Sequence, residues 1–252
     1  MIIHYDNDED SIQRLIMAIF PSLSNNSHFA ACMISRAILT TRNENVDKLN
    51  EKLISLFPGE SRSFHSYDEA IDDVNNYYEE EFLNSLSPNG LPPHKLLLKI
   101  NCPIILLRNL DPSNGLCNGT RMVCRNFKDN VIDAEIVFGQ HSGKHVFIPR
   151  IPLSPTENEG YPFKFKWKQF PVRLCFAMTI NKAQGQTISN VGVYFPQSGF
   201  SHGQLYVALS RGISISTTKV LIKLDTSGIR GKTTTKNVVY KQVLAACCIT
   251  NG

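Results

Sequence analysis

Two short stretches carry the residue types that could handle phosphate. The first is Thr179-Ile-Asn-Lys-Ala-Gln-Gly-Gln-Thr187. It offers a hydroxyl (Thr179), three amides (Asn181, Gln184, Gln186), one lysine (Lys182) and Gly185, whose backbone can approach a phosphate closely. The second, Ser201-His-Gly-Gln-Leu-Tyr-Val-Ala-Leu-Ser-Arg211-Gly212, ends on an arginine. A guanidinium keeps its charge and suits a phosphoryl group in transfer.

These residues need elements to hold them. The apolar run Leu174 to Met178 reads as a buried strand that breaks into the polar loop, and Val191 to Phe195 reads as the next strand. A strand opening into such a loop is how an α/β sheet presents groups at its carboxyl edge. Leu205, Ala208 and Leu209 share one helical face, which places Arg211 at a helix end. Upstream, Ala37 to Thr41 is a strand, and a helix with Val46, Leu49 and Leu53 on one face closes at Pro58-Gly59. Strand, polar turn and helix begin a βαβ unit, with Arg42 at the strand's carboxyl end. An earlier helix carries Ile12, Leu15, Ile16 and Ile19 and stops at Pro21.

At 179–187 and 206–211 the chain resembles the petite-integration-frequency DNA helicases of superfamily 1B, in their motifs V and VI. Further similar stretches are Ile38-Leu-Thr-Thr-Arg-Asn43 with Val46 and Asn50, Gly90 to Lys99, Ile105 to Asp111 with Asn118 to Arg121, and Gln169-Phe-Pro171. The resemblance implies an α/β fold, namely a second RecA-like motor domain with an inserted small β-barrel of the Src-homology-3 type. It implies an ATP-dependent DNA helicase that translocates on single-stranded DNA and unwinds duplex junctions, acting in repair, recombination and telomere maintenance. Arg211 would be the catalytic arginine, with Arg42, Gln184 and Gly185 facing nucleotide. Thr179, Asn181 and Lys182 would meet DNA phosphates. Where many members carry His and Ser, this chain carries Asn181 and Ala183, so no contact is carried over to Ala183. For Arg211 the alternative is a helix cap, and for Arg42 an exposed turn residue.

Length and composition set the bounds. The 252 residues suit one large or two small domains, and 42% hydrophobic content is ordinary for a globular protein. A formal net charge of +4 does not by itself imply nucleic acid. No apolar run approaches membrane-span length, and Asp6, Asp8, Glu9 and Asp10 stand where a secretory leader would be basic then apolar. The seven cysteines form no Cys-x-x-Cys pair, which suggests reduced thiols and an intracellular protein. The nucleus is the expected location, with the mitochondrion as alternative. His141 and His145 lack further ligands at metal spacing, so no metal site is expected in the chain itself.

The expected organisation is residues 1–94 as the first part of the RecA-like domain, 95–170 as the inserted barrel, 171–226 as the remainder, and 227–252 as a tail. The segment 66–86 reads as an acidic helix with Ile71, Val74, Tyr78 and Phe82 beneath a solvated face. Residues 95–170 break into short β-rich runs with turns at Asn118-Gly119, Lys128-Asp-Asn130 and Ser142-Gly143. Phe163-Lys-Phe-Lys-Trp-Lys168 alternates aromatic with lysine. As a strand it puts Lys164, Lys166 and Lys168 on one face. They are either guards on an edge strand or a track for DNA phosphates.

Gly231-Lys232-Thr233 imitates the end of a phosphate-binding loop, but Thr226 stands where the first glycine belongs. No apolar strand ends in an acidic pair suited to magnesium. ATP and Mg²⁺ would therefore be held mainly by a separate N-terminal RecA-like domain absent from this sequence, and the chain alone is not expected to be active. The competing readings are a nucleic-acid-binding module without motor function, a decayed mobile-element fragment, and an RNA helicase of the same superfamily.

Overall fold

Strands buried on both faces read as continuous apolar runs, and Ala37–Leu39 and Val191–Phe195 are such runs in the middle of the first sheet. The computed structural model describes residues 2–21, 23, 33–71, 77–86, 88, 90–155, 161, 163–197, 201–223, 238 and 240. Ile2–Ile3 (β1), Arg36–Thr40 (β2), Ala177–Thr179 (β13), Asn190–Phe195 (β14) and Thr218–Ile222 (β15) run parallel in the order β1-β15-β14-β2-β13. The helix Asp8–Ile19 packs on this sheet through Leu15, Ile16 and Ile19. Asn7 caps it by accepting from the Asp10 amide at 2.8 Å, and three carboxylates in its first turn offset the positive end of its dipole. Gly192 on β14 permits the close approach: a Cβ there would lie 2.9 Å from Ile19 Cγ1 and 3.2 Å from Leu15 Cδ1.

Contacts divide the chain into two compact units, 1–23 with 35–53 and 176–252, and 24–34 with 54–175. The second is antiparallel. Val172–Leu174 (β12), Pro103–Leu106 (β6), Arg121–Phe127 (β7), Val131–Ile136 (β8) and His145–Pro149 (β9) pair in that order. Ser61–His65 (β3) pairs with Lys95–Lys99 (β5). Ile151–Leu153 (β10), Phe165–Gln169 (β11) and Tyr67–Ala70 (β4) make a three-stranded sheet with β11 in the middle. The hairpin turns at 128–130 and 142–143 join β7 to β8 and β8 to β9, as the turn residues predict. No described helix is long and apolar enough to cross a membrane.

Several expectations are corrected. The segment 54–94 belongs with the antiparallel unit, not with the first one, and the later division falls at 175/176. There the apolar run Leu174 to Met178 is not one strand. It ends β12 in one sheet and begins β13 in another, because an unbroken apolar run carries no mark of which core each half enters. The acidic stretch 66–86 is not a single helix either. Tyr67–Ala70 pairs with β11, and among the described residues of the stretch only Glu80–Ser85 is helical. The edge-strand reading of the lysines fails, because β11 is flanked on both sides. In the helix Gln204–Leu209, Gln204 and Ala208 are the buried residues, while Leu209 is exposed. Asp72, Asp73, Val74, the Gly231-Lys232-Thr233 sequence and nearly all of the tail 227–252 lie outside the described residues. The four described cysteines, Cys102, Cys117, Cys124 and Cys175, are unpaired. Burial pushes the Cys124 and Cys175 thiols up from their ordinary value, which keeps them protonated core residues.

Candidate functional site

The carboxyl edge of the parallel sheet gathers the phosphate-handling residues. β13 pairs with β2 through Ala177–Ile38, Met178–Leu39 and Thr179–Thr40, so the first loop residues leave the sheet beside Thr41 and Arg42. Arg42 is exposed at the start of the helix Asn43–Leu56, and its carbonyl accepts from the Val46 amide. Val46, Leu49 and Leu53 of that helix are buried, as their spacing requires. Its Asn50 is also buried and acts as a substitute strand edge. Asn50 Oδ1 accepts from the Ala177 amide at 2.9 Å, and Nδ2 donates to the Ala177 carbonyl at 3.1 Å. Two otherwise orphaned backbone groups of the outermost strand are thereby satisfied, which holds β13 two residues before the loop.

Beyond Thr179 the chain makes a single 3-10 turn over Ile180–Ala183. Ile180 and Ala183 point into the core, while Asn181 and Lys182 are exposed. The turn therefore sorts apolar anchors from polar groups within four residues. Gln184 and Gly185 follow, both exposed, and Gly185 sits at φ +78°, a left-handed conformation that a side chain would strain. Gln186 folds back, its Nε2 donating to the Lys182 carbonyl at 3.1 Å.

Arg211 joins the second stretch to the first. Its Nη1 donates to the Gln186 carbonyl at 3.1 Å, its Nε to the Val207 carbonyl at 3.0 Å, and its Nη2 to Ser210 Oγ at 2.9 Å. The Ile188 amide donates to the Arg211 carbonyl at 2.9 Å, so the loop and the helix end are bonded in both directions. In this conformation Arg211 caps the helix Gln204–Leu209 and clamps the loop at once. Arg42, Thr179, Asn181, Lys182, Gln184, Gly185 and Arg211 all fall in the first unit, and Lys164, Lys166 and Lys168 in the second. The three lysines are exposed, over the buried Phe165 and Trp167.

The bridging role of Asn50 was not legible as geometry, because a polar residue on a helical face gives no sign of which strand it meets. Thr40 and Thr41 are buried at the same edge, and their hydroxyls have no partner among the described residues.

A family model, the 2B domain of the DNA helicase Pif1, matches residues 81–127, all within the second unit. The chain is 31% identical over 183 residues to the ATP-dependent DNA helicase PIF1 of Rattus norvegicus, a match covering 73% of this chain and 27% of that protein. It is 28% identical over 192 residues to the PIF1 of Xenopus laevis, again covering 73% and 27%. Over most of its length the chain is similar to Pif1-type DNA helicases. It spans about a quarter of the length of these Pif1 relatives. The fold agrees. Bacteroides Pif1 bound to single-stranded DNA superposes with a TM-score of 0.63 at 20% identity, over 97% of this chain and 50% of that one. Candida albicans Pif1 gives 0.62 at 22% identity, over 97% and 55%.

Proposed function

We propose that this chain is the C-terminal motor half of an ATP-dependent DNA helicase. Its parallel-sheet unit is a second RecA-like domain, and its antiparallel unit carries the inserted Src-homology-3-like barrel. The observation that carries the reading is the bond from Arg211 Nη1 to the Gln186 carbonyl, which couples the arginine to the phosphate-handling loop at the sheet's carboxyl edge. ATP and Mg²⁺ are held mainly by a separate RecA-like domain with a phosphate loop. When that domain closes, Arg211 leaves its resting clamp and stabilises charge on the γ-phosphate. Arg42, Gln184 and Gly185 line the nucleotide side. Thr179, Asn181 and Lys182 meet the phosphates of single-stranded DNA at a duplex junction. Because Arg211 is bonded to the loop that carries Lys182, its movement is transmitted to the DNA contacts. The setting is intracellular, in the nucleus.

Two measurements test the reading. The purified chain alone is expected to show no DNA-stimulated ATPase, since its sequence holds neither phosphate loop nor magnesium carboxylates. Turnover that survives repurification and disappears in Arg211→Ala would overturn that assignment. In single-strand binding, Lys182→Ala is expected to lower the slope of log affinity against log salt by about 0.7, one phosphate contact. Lys164, Lys166 and Lys168 changed together to Gln should lower it by up to roughly 2. Unaltered slopes in folded variants would remove these lysines from the DNA path.

A further inference from the structure

Tyr67 is an aromatic residue on the wrong side of a strand for core packing. The residue is 66% exposed, on the lysine-bearing face of the three-stranded sheet. The register fixes this placement. Tyr67 stands directly across from Lys168 and Glu69 across from Lys166, while the Ile71 amide donates to the Lys164 carbonyl. Directly opposed residues of an antiparallel pair project to the same face, about 5 Å apart. Their neighbours Asp68 and Trp167 turn to the other side, where Trp167 is fully buried. One face of β4 and β11 thus presents a ring beside a row of ammonium groups that recur about every 6.6 Å along the strand.

The ring is also held from behind. The Arg150 guanidinium lies 5.5 Å from the Tyr67 ring centroid and 4.6 Å from that of Phe170. Arg150 Nη1 donates to the His65 carbonyl at 2.7 Å and to Gln169 Oε1 at 3.0 Å, so the cation is fixed before anything binds. A ring with one face over a fixed cation and much of its surface in water is set up to take a flat partner on its open side.

We propose that Tyr67 is a stacking platform for an unpaired base of single-stranded DNA, with the flanking phosphates on Lys168 and Lys164. This rests on the reading of the lysine face as a DNA track. Charge selects the occupant. Among the described residues on this face of β4 and β11, three lysines and the adjacent Arg150 stand with one carboxylate, Glu69, which partly offsets Lys166 and leaves the ends of the row most attractive to phosphate. Stacking on one ring is tolerant of sequence and unavailable to a paired base, so the platform favours a strand already separated.

The test uses the whole chain and two labelled probes of about 15 nucleotides, an oligothymidylate and the same backbone with every base removed. Tyr67→Ala should weaken binding of the oligothymidylate about tenfold, leave the abasic strand unchanged and keep the salt slope. Tyr67→Leu, which keeps apolar cover over Arg150, should behave like Tyr67→Ala, and Tyr67→Phe like the unmodified chain. Thermal melts of all three should coincide. Full oligothymidylate affinity in Tyr67→Ala, beside a lowered slope in the triple lysine variant, would overturn the platform while leaving the lysine track standing. Equal losses on both probes would also overturn it, since the ring would then act by holding a cation. An unaltered slope in the lysine variant would sink the track, and the platform with it.

Discussion

Arg211→Ala, in a helicase that joins this chain to a phosphate-loop domain, is expected to lower DNA-stimulated kcat by roughly 10³-fold with a much smaller change in KM for ATP. The size follows from where the charge is needed. Negative charge spreads onto the γ-phosphate oxygens only as the bond breaks, so a guanidinium arriving then acts on the transition state more than on bound ATP. In the resting conformation the same group donates to the Gln186 and Val207 carbonyls and to Ser210 Oγ, so its removal also loosens the loop that carries Lys182. Single-strand affinity separates the two effects. If kcat falls while DNA affinity stays within about twofold, the loss is chemical; if both fall together, the clamp is what mattered. Arg211→Lys is the sharper control, because it keeps the charge but lacks the planar fork. A rate close to the unmodified enzyme in Arg211→Ala would reduce this residue to a helix cap.

Trp167→Ala unfolds the antiparallel unit at lower denaturant, with a loss of about 3–5 kcal/mol. Trp167 is fully buried in a cluster with Leu91, Leu153 and Phe165, edged by Leu86, Ile151, Tyr161 and Phe163. Truncation leaves a cavity that a β-sheet, fixed by its ladders on both sides of β11, has little freedom to close. Trp167→Phe should cost far less. It fills most of the volume, and the indole Nε1 it removes has no acceptor among the described residues. Denaturant melts of the two variants read the difference. Similar stability for Trp167→Ala and the unmodified chain would mean that this face is not a packed core.

The two stretches that could handle phosphate were legible because their chemistry is local. Lys182, Gly185 and Arg211 announce themselves by type, and the apolar runs before them mark where a sheet ends. The period-two alternation at 163–168 likewise turned Phe163, Phe165 and Trp167 inward as an expectation; Phe165 and Trp167 are buried and Phe163 partly so. Legibility failed wherever the answer depended on a distant partner. The stretch 66–86 has helical spacing and acidic charge, yet Tyr67–Ala70 is a strand because β11 offers it a ladder. Backbone hydrogen bonds to a neighbour nearly 100 residues away outweigh a local preference worth tenths of a kcal/mol per residue.

The same distinction separates the two sources of information about this protein. Residue types and their spacing determined the candidate phosphate chemistry, the alternation of β11 and the family resemblance, since each of these is written in short runs of consecutive positions. Tertiary structure alone decided that Leu174 and Ala177 enter different sheets, that Asn50 completes the outermost strand, and that Arg211 rests on the Gln186 carbonyl. It alone set Tyr67 across from Lys168. Such pairings follow from which backbone groups and apolar faces find partners when the chain closes on itself, and hydrophobicity along a chain names what must be buried without naming against what.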